Sequence, residues 1–221
     1  MNKWMAVLVL GGLLSLAGVA SAELIVNGDF EAAVYNTGPG GTGGWVNFIP
    51  GWTEVGAVTP WQPNYPMPGN GGVYTGIWND AAALAAEPTL TDMPRSRGGE
   101  QCYGAGAYTA MVYLTQDVET TIDQDYLVSI WAMTNGGGGN LSVTFGGQAV
   151  VTIVGGGTED VYTEYTATIT AASTTSTLSI GTVFGGADAW YIDDVSVTVI
   201  PEPATMSLLA LGGLALLRRR K

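Results

Sequence analysis

Hydrophobic and polar residues alternate along most of the second half of the chain. In residues 161–170 the more apolar side chains take every second position, and the same period of two recurs in six further segments. These segments are residues 111–119, 126–133, 141–145, 150–154, 178–184 and 189–199. A period of two indicates strands with one dry face and one wet face. Helical periodicity is absent between the two ends of the chain, so the pattern predicts an all-β domain.

Turn signals separate the predicted strands at intervals of roughly ten residues, which is typical of a β-sandwich or jelly roll. They are Asp123-Gln124-Asp125, the glycine-rich residues 135–140, Gly146-Gly147, residues 155–157 and Gly185-Gly186. No glycine cluster is followed by Gly-Lys-Ser/Thr or opens a helix, so a phosphate-binding loop has no support. Residues 35–100 are rich in Gly, Pro, Trp and Asn and predict long loops, where binding residues usually lie.

The first 22 residues predict a secretory signal peptide with a helical apolar core. Lys3 provides the basic start, residues 5–19 the apolar middle and Ala20-Ser21-Ala22 the cleavage site, so the mature chain is expected to begin at Glu23, after Ala22. A retained transmembrane anchor is the alternative, but the apolar middle is shorter than the ~20 residues that a membrane span needs.

The C-terminal end has three parts: Pro201-Glu202-Pro203, a mostly apolar stretch over residues 204–217 and the basic cluster Arg218-Arg219-Arg220-Lys221. A short apolar helix of this length covers roughly 21 Å, less than the ~30 Å hydrocarbon core of a bilayer. The basic cluster is expected to act as a membrane stop that stays in the cytoplasm, leaving the preceding chain outside. This topology agrees with the one that a signal peptide sets.

Residues 201–221 resemble the PEP-CTERM sorting signal of exported proteins in Gram-negative bacteria that make extracellular polysaccharide. The resemblance implies three partners or steps: signal peptidase, transient insertion into the inner membrane, and a membrane-embedded cysteine protease of the exosortase type that reads Pro201-Glu202-Pro203. The protein would then be secreted or held at the cell surface. A simple C-terminal membrane anchor is the alternative, although it does not require the Pro-Glu-Pro motif.

Removal of both ends leaves residues 23–200 as one domain of ordinary size. This part contains 18 acidic residues, two arginines, Arg95 and Arg97, and no lysine or histidine, so its net charge is about −16. Such a charge repels nucleic acid, whose binding depends on basic side chains. The abundance of aromatic and branched residues excludes a disordered acidic segment. Cys102 is the single cysteine, so no internal disulfide forms, and we expect it to be buried in a strand.

Four segments occur in an order that resembles the galactose-binding-like jelly roll of many carbohydrate-binding modules. They are residues 24–31, Pro50-Gly51-Trp52, residues 125–132 and residues 190–197. The fold class expected is therefore an all-β jelly-roll β-sandwich between the two terminal helices. Phe30, Trp52 and Trp131 are predicted to lie in its core, because each sits in or beside an apolar strand and buries a large area.

Four carboxylates, two of them stronger candidates than the others, are candidates for a structural Ca²⁺ site. Asp193 and Asp194 are adjacent in a strand and are expected to point to opposite faces, with Asp193 on the apolar face of Tyr191, Val195, Val197 and Val199. A carboxylate there is costly unless it is neutralised, and calcium takes carboxylate and carbonyl oxygens. By resemblance to the family, Glu31 and Asp193 are the expected ligands, with Asp29 and Asp194 as weaker candidates. Hydrogen bonding of Glu31 and Asp193 to backbone is the alternative.

Three classes of function remain open, in unequal measure. The absence of histidine excludes Ser-His and Cys-His catalysis, and no carboxylate spacing indicates a glycosidase cleft, so a glycan-active enzyme is the least supported. A carbohydrate-binding module would need exposed aromatics for stacking on sugar rings. The candidates are Trp61, Trp78 and Tyr108, followed by Tyr65 and Tyr103. A matrix protein that contacts acidic polysaccharide through calcium is the third.

Overall fold

The computed structural model describes residues 22–32, 49–56, 59–60, 73–79, 96–107, 111–134, 136, 139–157, 159–183 and 189–201. The two predicted terminal helices lie outside these ranges, as do Glu202, Pro203 and the basic cluster. Within the described ranges no helix is long and apolar enough to cross a membrane.

Eleven strands form two sheets in the described part of the chain, which confirms the predicted all-β sandwich. The strands are β1 (Thr53–Val55), β2 (Thr59–Pro60), β3 (Val73–Asn79), β4 (Gln101–Ala107), β5 (Val112–Glu119), β6 (Asp125–Thr134), β7 (Asn140–Phe145), β8 (Gln148–Ile153), β9 (Thr163–Thr170), β10 (Thr175–Val183) and β11 (Trp190–Val199). Sheet A has the order β2-β3-β4-β11-β6-β9, and sheet B has the order β1-β5-β10-β7-β8. All pairs are antiparallel except β2 with β3.

The strands form where the sequence alternates, because one face of each strand packs into the core. Buried and exposed residues follow one another along β5, and β7 repeats the pattern with half-buried residues in place of exposed ones. Strands β1 to β3 are an addition, since they lie in the part of the sequence that predicted only loops. Strands β1 and β2 have three and two residues, too few to show alternation, and apolar and polar side chains do not alternate regularly along β3.

The core between the sheets combines aliphatic residues of both sheets with a group of aromatic rings. Phe30 is fully buried and lies with its ring centroid 5.7 Å from that of Trp52 and 6.0 Å from that of Tyr103. The predicted burial of Phe30 and Trp52 is confirmed. The predicted burial of Trp131 is wrong, because Trp131 lies half-buried on the outer face of sheet A.

A second, smaller cluster covers part of the outer face of sheet A. Cys102, Met133 and Tyr191 are buried there, and Tyr162 and Ala189 pack against them. Cys102 lies in β4 and is fully buried, as predicted.

A β-bulge in β11 corrects the predicted faces of the two adjacent aspartates. The register of β11 with β6 shifts between Asp193 and Ser196, and Asp194 has a φ of 46°. Val195 and Val197 therefore belong to the core, whereas Asp193 shares the outer face with Tyr191. The predicted separation of Asp193 and Asp194 is also wrong, because both carboxylates contact Arg97.

We expect Gly28→Ala to destabilise the domain by more than ~3 kcal/mol, because a Cβ at Gly28 would lie 1.9 Å from the carbonyl oxygen of Val195. Gly147→Ala is the matched control. Its site is open but has a φ of 79°, so the expected loss is backbone strain of about 1 kcal/mol. Urea unfolding monitored by tryptophan fluorescence measures both, and equal losses would contradict the close approach of Gly28 to β11.

Candidate functional site

The loop of residues Ser96–Gln101, named the 96–101 loop, leads into β4 and is held by carboxylates from two distant segments. Gly99 has a φ of 69°, and a Cβ there would lie 2.2 Å from Glu31 Oε1. Glycine therefore meets two requirements at once, a left-handed backbone and room for a carboxylate.

Asp193 accepts three backbone hydrogen bonds. Its Oδ2 accepts from the amides of Arg97, at 2.8 Å, and Gly98, at 3.2 Å, and its Oδ1 accepts from the amide of Asp194 at 2.8 Å. The side chain is fully buried. Burial raises the pKa of Asp193 from 3.8 to about 7; the three amides oppose this shift and the neighbouring Asp194 charge adds to it.

Glu31 holds the other end of the same loop. Its Oε1 accepts from the amides of Glu100, at 2.8 Å, and Gln101, at 2.7 Å. The structure thus brings the two predicted calcium ligands to one loop. It shows them in the hydrogen-bonded arrangement that the sequence left as the alternative. Asp29 is not part of this group, since its Oδ1 accepts a long bond of 3.4 Å from the amide of Glu31.

Arg97 joins the loop to the outer face of sheet A. Its guanidinium lies 3.7 Å from the centroid of the Trp131 ring and forms an ion pair with Asp194 Oδ2. A stacked arginine occupies a ring face that a sugar would need. The sequence analysis did not assign Arg97 to a site, although Arg97 is one of only two basic residues between residues 23 and 200.

The oxygen atoms around Glu31 and Asp193 fit a hard cation in chemical type. Besides the two carboxylates, the Oε1 atom of the buried Gln101 has no hydrogen-bond partner, and the Nε2 of the same side chain donates to the Glu31 carbonyl at 3.5 Å. Carboxylate and amide oxygens are the ligands that Ca²⁺ takes. No group of three or more acidic, cysteine or histidine side chains suited to a metal lies within the described ranges.

On the outer face of sheet B, an exposed aromatic ring packs against a glycine. Tyr113 is 37% exposed, the largest exposure among the aromatic side chains that the structure describes. Its register partner is Gly181, where an added Cβ would lie 2.8 Å from Tyr113 Cε1. The ring thus lies against the backbone of β10, and the missing glycine side chain makes room for it.

Hydroxyl groups and one carboxylate lie further along the same face, beyond Gly181 and Val55, which are the direct register partners of Tyr113. Thr115 and Ser179 face each other in the row next to Tyr113, and Asp117 faces Thr177 in the following row. Asp117 Oδ1 accepts from Thr177 Oγ1 at 2.6 Å, and Thr115 Oγ1 donates to the Thr53 carbonyl at 3.1 Å. A flat ring beside hydroxyl donors and acceptors matches the two chemical needs of sugar recognition.

The predicted binding aromatics have different outcomes. The prediction that Tyr103 is an exposed binding residue is wrong, because Tyr103 lies in β4 and is buried in the core. Trp78 lies in β3 as the register partner of Cys102. Trp61, Tyr65 and Tyr108 lie outside the described residues. Tyr113 was missed, although an aromatic among Thr115, Asp117 and Glu119 on the polar phase of β5 was a usable signal.

In comparisons with known proteins, the tail matches a known family and the domain resembles solved structures. Residues 199–221 match the family described as the PEP-CTERM protein-sorting motif, which confirms the resemblance of the tail. A sorting motif of this kind implies export and sorting to the cell surface in bacteria. No curated protein matches the chain.

Solved structures similar to the domain include carbohydrate-binding modules. The structure of TmCBM61 in complex with β-1,4-galactotriose is 14% identical, with a TM-score of 0.50, and the match covers 81% of this chain and 100% of that one. The CBM22-1 xylan-binding domain of Paenibacillus barcinonensis Xyn10C is 14% identical, with a TM-score of 0.42 and coverage of 68% and 86%. The enzymatically active domain of bacteriophage CBA120 tailspike protein 4 is 15% identical, with a TM-score of 0.47 and coverage of 80% and 21%. The first of these likenesses confirms the jelly-roll fold.

Asp193 is expected to make the metal-free domain less stable as the pH rises. Its folded-state pKa lies above the unfolded value, so its stabilising contribution is complete below pH 3.8 and is lost as the pH rises through about 7. The full loss amounts to roughly 4 kcal/mol. We expect Asp193→Asn to remove this slope in urea unfolding at pH 4 to 8 in the presence of EDTA.

The control for this experiment is Asp123→Asn, which removes one exposed charge from a turn. Asp123 has a φ of 63°, a conformation that asparagine also adopts, so this variant tests the loss of charge alone. Parallel stability profiles for wild type and Asp193→Asn between pH 4 and 7 would contradict the assignment.

Proposed function

We propose that this chain is an exported, surface-sorted protein whose jelly-roll domain binds extracellular polysaccharide and is not catalytic. Signal peptidase would remove residues 1–22, and an exosortase-type protease would process the tail after transient insertion into the inner membrane of a Gram-negative bacterium. The sorting motif over residues 199–221 supports this route. The jelly-roll fold supports the binding role, and the similar TmCBM61 structure is a complex with β-1,4-galactotriose.

The observation that carries the binding role is the ring of Tyr113 on the outer face of sheet B. Stacking on a sugar ring needs a flat, exposed apolar surface. Tyr113 offers this surface because Gly181 has no side chain, so the Tyr113 ring can lie against the backbone of β10. Trp131 does not, since Arg97 covers its ring. The hydroxyls of Thr115 and Ser179 lie in the adjacent row, within reach of a bound chain's own hydroxyl groups.

The charge of the domain favours a neutral polysaccharide over an acidic one. Residues 23–200 carry a net charge of about −16, which repels uronate and sulfate groups. On the face itself, Asp117 can accept hydrogen bonds from sugar hydroxyls, whereas it would repel a carboxylate. We therefore propose neutral glycans as the ligand class.

Tyr113→Ala is expected to weaken polysaccharide binding by roughly fivefold or more, because loss of a stacked ring removes at least about 1 kcal/mol. Tyr113→Phe keeps the ring and is expected to retain most of the affinity. Affinity electrophoresis against a panel of neutral polysaccharides measures both variants.

Leu127→Ala is the control, because Leu127 is 39% exposed and lies on sheet A, away from Tyr113. Equal retardation of wild type, Tyr113→Ala and Leu127→Ala would overturn the proposed face. A uniform, calcium-dependent retardation by acidic polysaccharides would instead support the matrix role.

We also propose that Ca²⁺ binds between Glu31 and Asp193, with the amide oxygen of Gln101 as a further ligand. The unpartnered Oε1 of Gln101 supports this proposal, because a buried acceptor without a partner is costly. When bound, the ion would neutralise the buried carboxylate of Asp193. The 96–101 loop would remain tied to the N-terminal segment, through Glu31, and to the last strand, through Asp193.

Calcium is expected to raise the thermal midpoint by roughly 5–10 °C at about a hundred times its dissociation constant. Glu31→Gln and Gln101→Leu are both expected to abolish this increase. Differential scanning calorimetry with CaCl₂ and with EDTA measures it. Equal midpoints for the wild type in the two buffers would remove the calcium proposal and leave the backbone hydrogen bonds as the whole role of these side chains.

A further inference from the structure

Glu23, the first residue after the predicted signal cleavage site, lies beside the C-terminal part of β11, the strand that leads toward the sorting motif. Glu23 forms an isolated antiparallel bridge with Thr198, three residues before Pro201. The amide of Leu24 donates to the Val197 carbonyl at 3.0 Å, and Glu23 Oε1 accepts from the Val197 amide at 2.9 Å. The first residues of the mature chain therefore join sheet A beside the segment that leads to the motif.

Both backbone polar groups of Ile200, the residue just before the motif, form hydrogen bonds. Its amide donates to the Asp125 carbonyl at 2.9 Å, and its carbonyl accepts from Gln124 Nε2 at 2.7 Å. Pro201 is exposed and has no N–H group, so the ladder cannot continue through it. The ordered backbone thus extends to the motif with no intervening linker.

The turn that carries Gln124 is itself fixed to the sandwich. The amide of Asp123 donates to the Ala171 carbonyl at 2.9 Å, and the amide of Thr121 donates to the hydroxyl of Tyr126 at 2.8 Å. Tyr126 and Ala171 are both buried, so the turn rests on the core. The two hydrogen bonds of Ile200, with Gln124 and with Asp125, are named the Ile200 clamp. They join the end of β11 to a turn that packs on the core.

A protease binds its substrate as an extended segment whose backbone groups are free to pair with the enzyme. Residues 196–199 cannot offer this, because they pair with β6, and Ile200 cannot, because of the clamp. We propose that the Ile200 clamp confines the sorting cleavage to peptide bonds on the C-terminal side of Ile200. Only a folded domain would then be processed with its last strand complete.

This inference rests on the proposed exosortase processing and adds where the cut falls. Cleavage breaks one peptide C–N bond. The acyl carbon passes to the cysteine sulfur of the protease and then to water or an amine acceptor, and the released amine takes up a proton. The clamp takes no part in this step, since it determines only which peptide bonds can reach the enzyme.

Limited proteolysis of the purified full-length chain tests the clamp without the processing enzyme. With proteinase K under native conditions, we expect the fragment masses to show protection through Ile200 and rapid cutting after Pro201. Cutting within residues 196–200 at a rate equal to that after Pro201 would overturn the proposal.

Two substitutions of Gln124 sharpen this test. Gln124→Ala removes the side-chain donor to Ile200, and Gln124→Glu removes it while keeping the shape of the side chain. Loss of one such hydrogen bond is expected to raise the rate of cutting upstream of Pro201 about fivefold. Gln148→Ala is the matched control, because Gln148 Nε2 also donates to a backbone carbonyl, that of Thr170, at 2.8 Å. Equal rates for Gln124→Ala and Gln148→Ala would overturn the clamp.

The in-cell arm separates this inference from the processing on which it rests. The chain is expressed in a bacterium that processes proteins with this motif, and the C-terminus of the surface product is determined by intact mass. We expect the product to retain Ile200. A product that ends before Ile200 would overturn the clamp alone. Unprocessed chain in every variant, with proteinase K protection intact, would overturn exosortase processing and leave the clamp supported.

Discussion

The β-bulge at Asp193 and Asp194 is the feature on which the rest of the sandwich depends. Before the bulge, β11 pairs with β4 at Trp190, Tyr191 and Ile192. Beyond it, the β4 side of β11 is taken by the N-terminal residues, through bonds from Val195 to Gly28 and from Leu24 to Val197. On this side, β11 therefore pairs first with β4 and then with the N-terminal residues, and this ties the beginning of the domain to its end.

The bulge also exchanges the faces of β11, and this places a carboxylate where the outer surface would otherwise be apolar. Asp193 is buried beneath the 96–101 loop, and three amides compensate part of the desolvation of its charge. Glu31 and Arg97 complete the attachment of this loop. Burial and a raised pKa are also features of catalytic carboxylates. The hydrogen bonds of Asp193, however, anchor the 96–101 loop to β11.

The processing end and the proposed binding ring are separated along the strands of the sandwich. The turn of Gln124 joins β5 to β6 at the end where Ile200 lies. Tyr113 stands six residues before Glu119, the last residue of β5, or roughly 20 Å away at about 3.4 Å per residue. Tyr113 therefore lies near the end of β5 that is opposite to the turn of Gln124 and to the segment that leads into the tail.

Much of the architecture was predictable because alternation depends only on which side chains prefer the core. The all-β class, most strands from β5 onward, the burial of Phe30, Trp52 and Cys102, and the sorting tail all follow from local patterns of residues. Strands β1 to β3 did not, since their pairing depends on contacts with distant strands rather than on their own sequence. Part of the candidate site was predictable too, because the segments of Glu31 and Asp193 resemble those of a known jelly roll.

The sequence by itself determined that this chain is built for export, that its domain is an acidic β-sandwich, and that it ends in a sorting motif, because composition and motifs are properties of single segments. Only the tertiary structure decided that Asp193 and Asp194 reach the same arginine, that Tyr113 lies on Gly181, and that Ile200 forms hydrogen bonds with Gln124 and Asp125. Each of these contacts joins residues far apart in the chain, and a one-residue bulge reverses which face a side chain occupies. No local pattern reports such a shift of register.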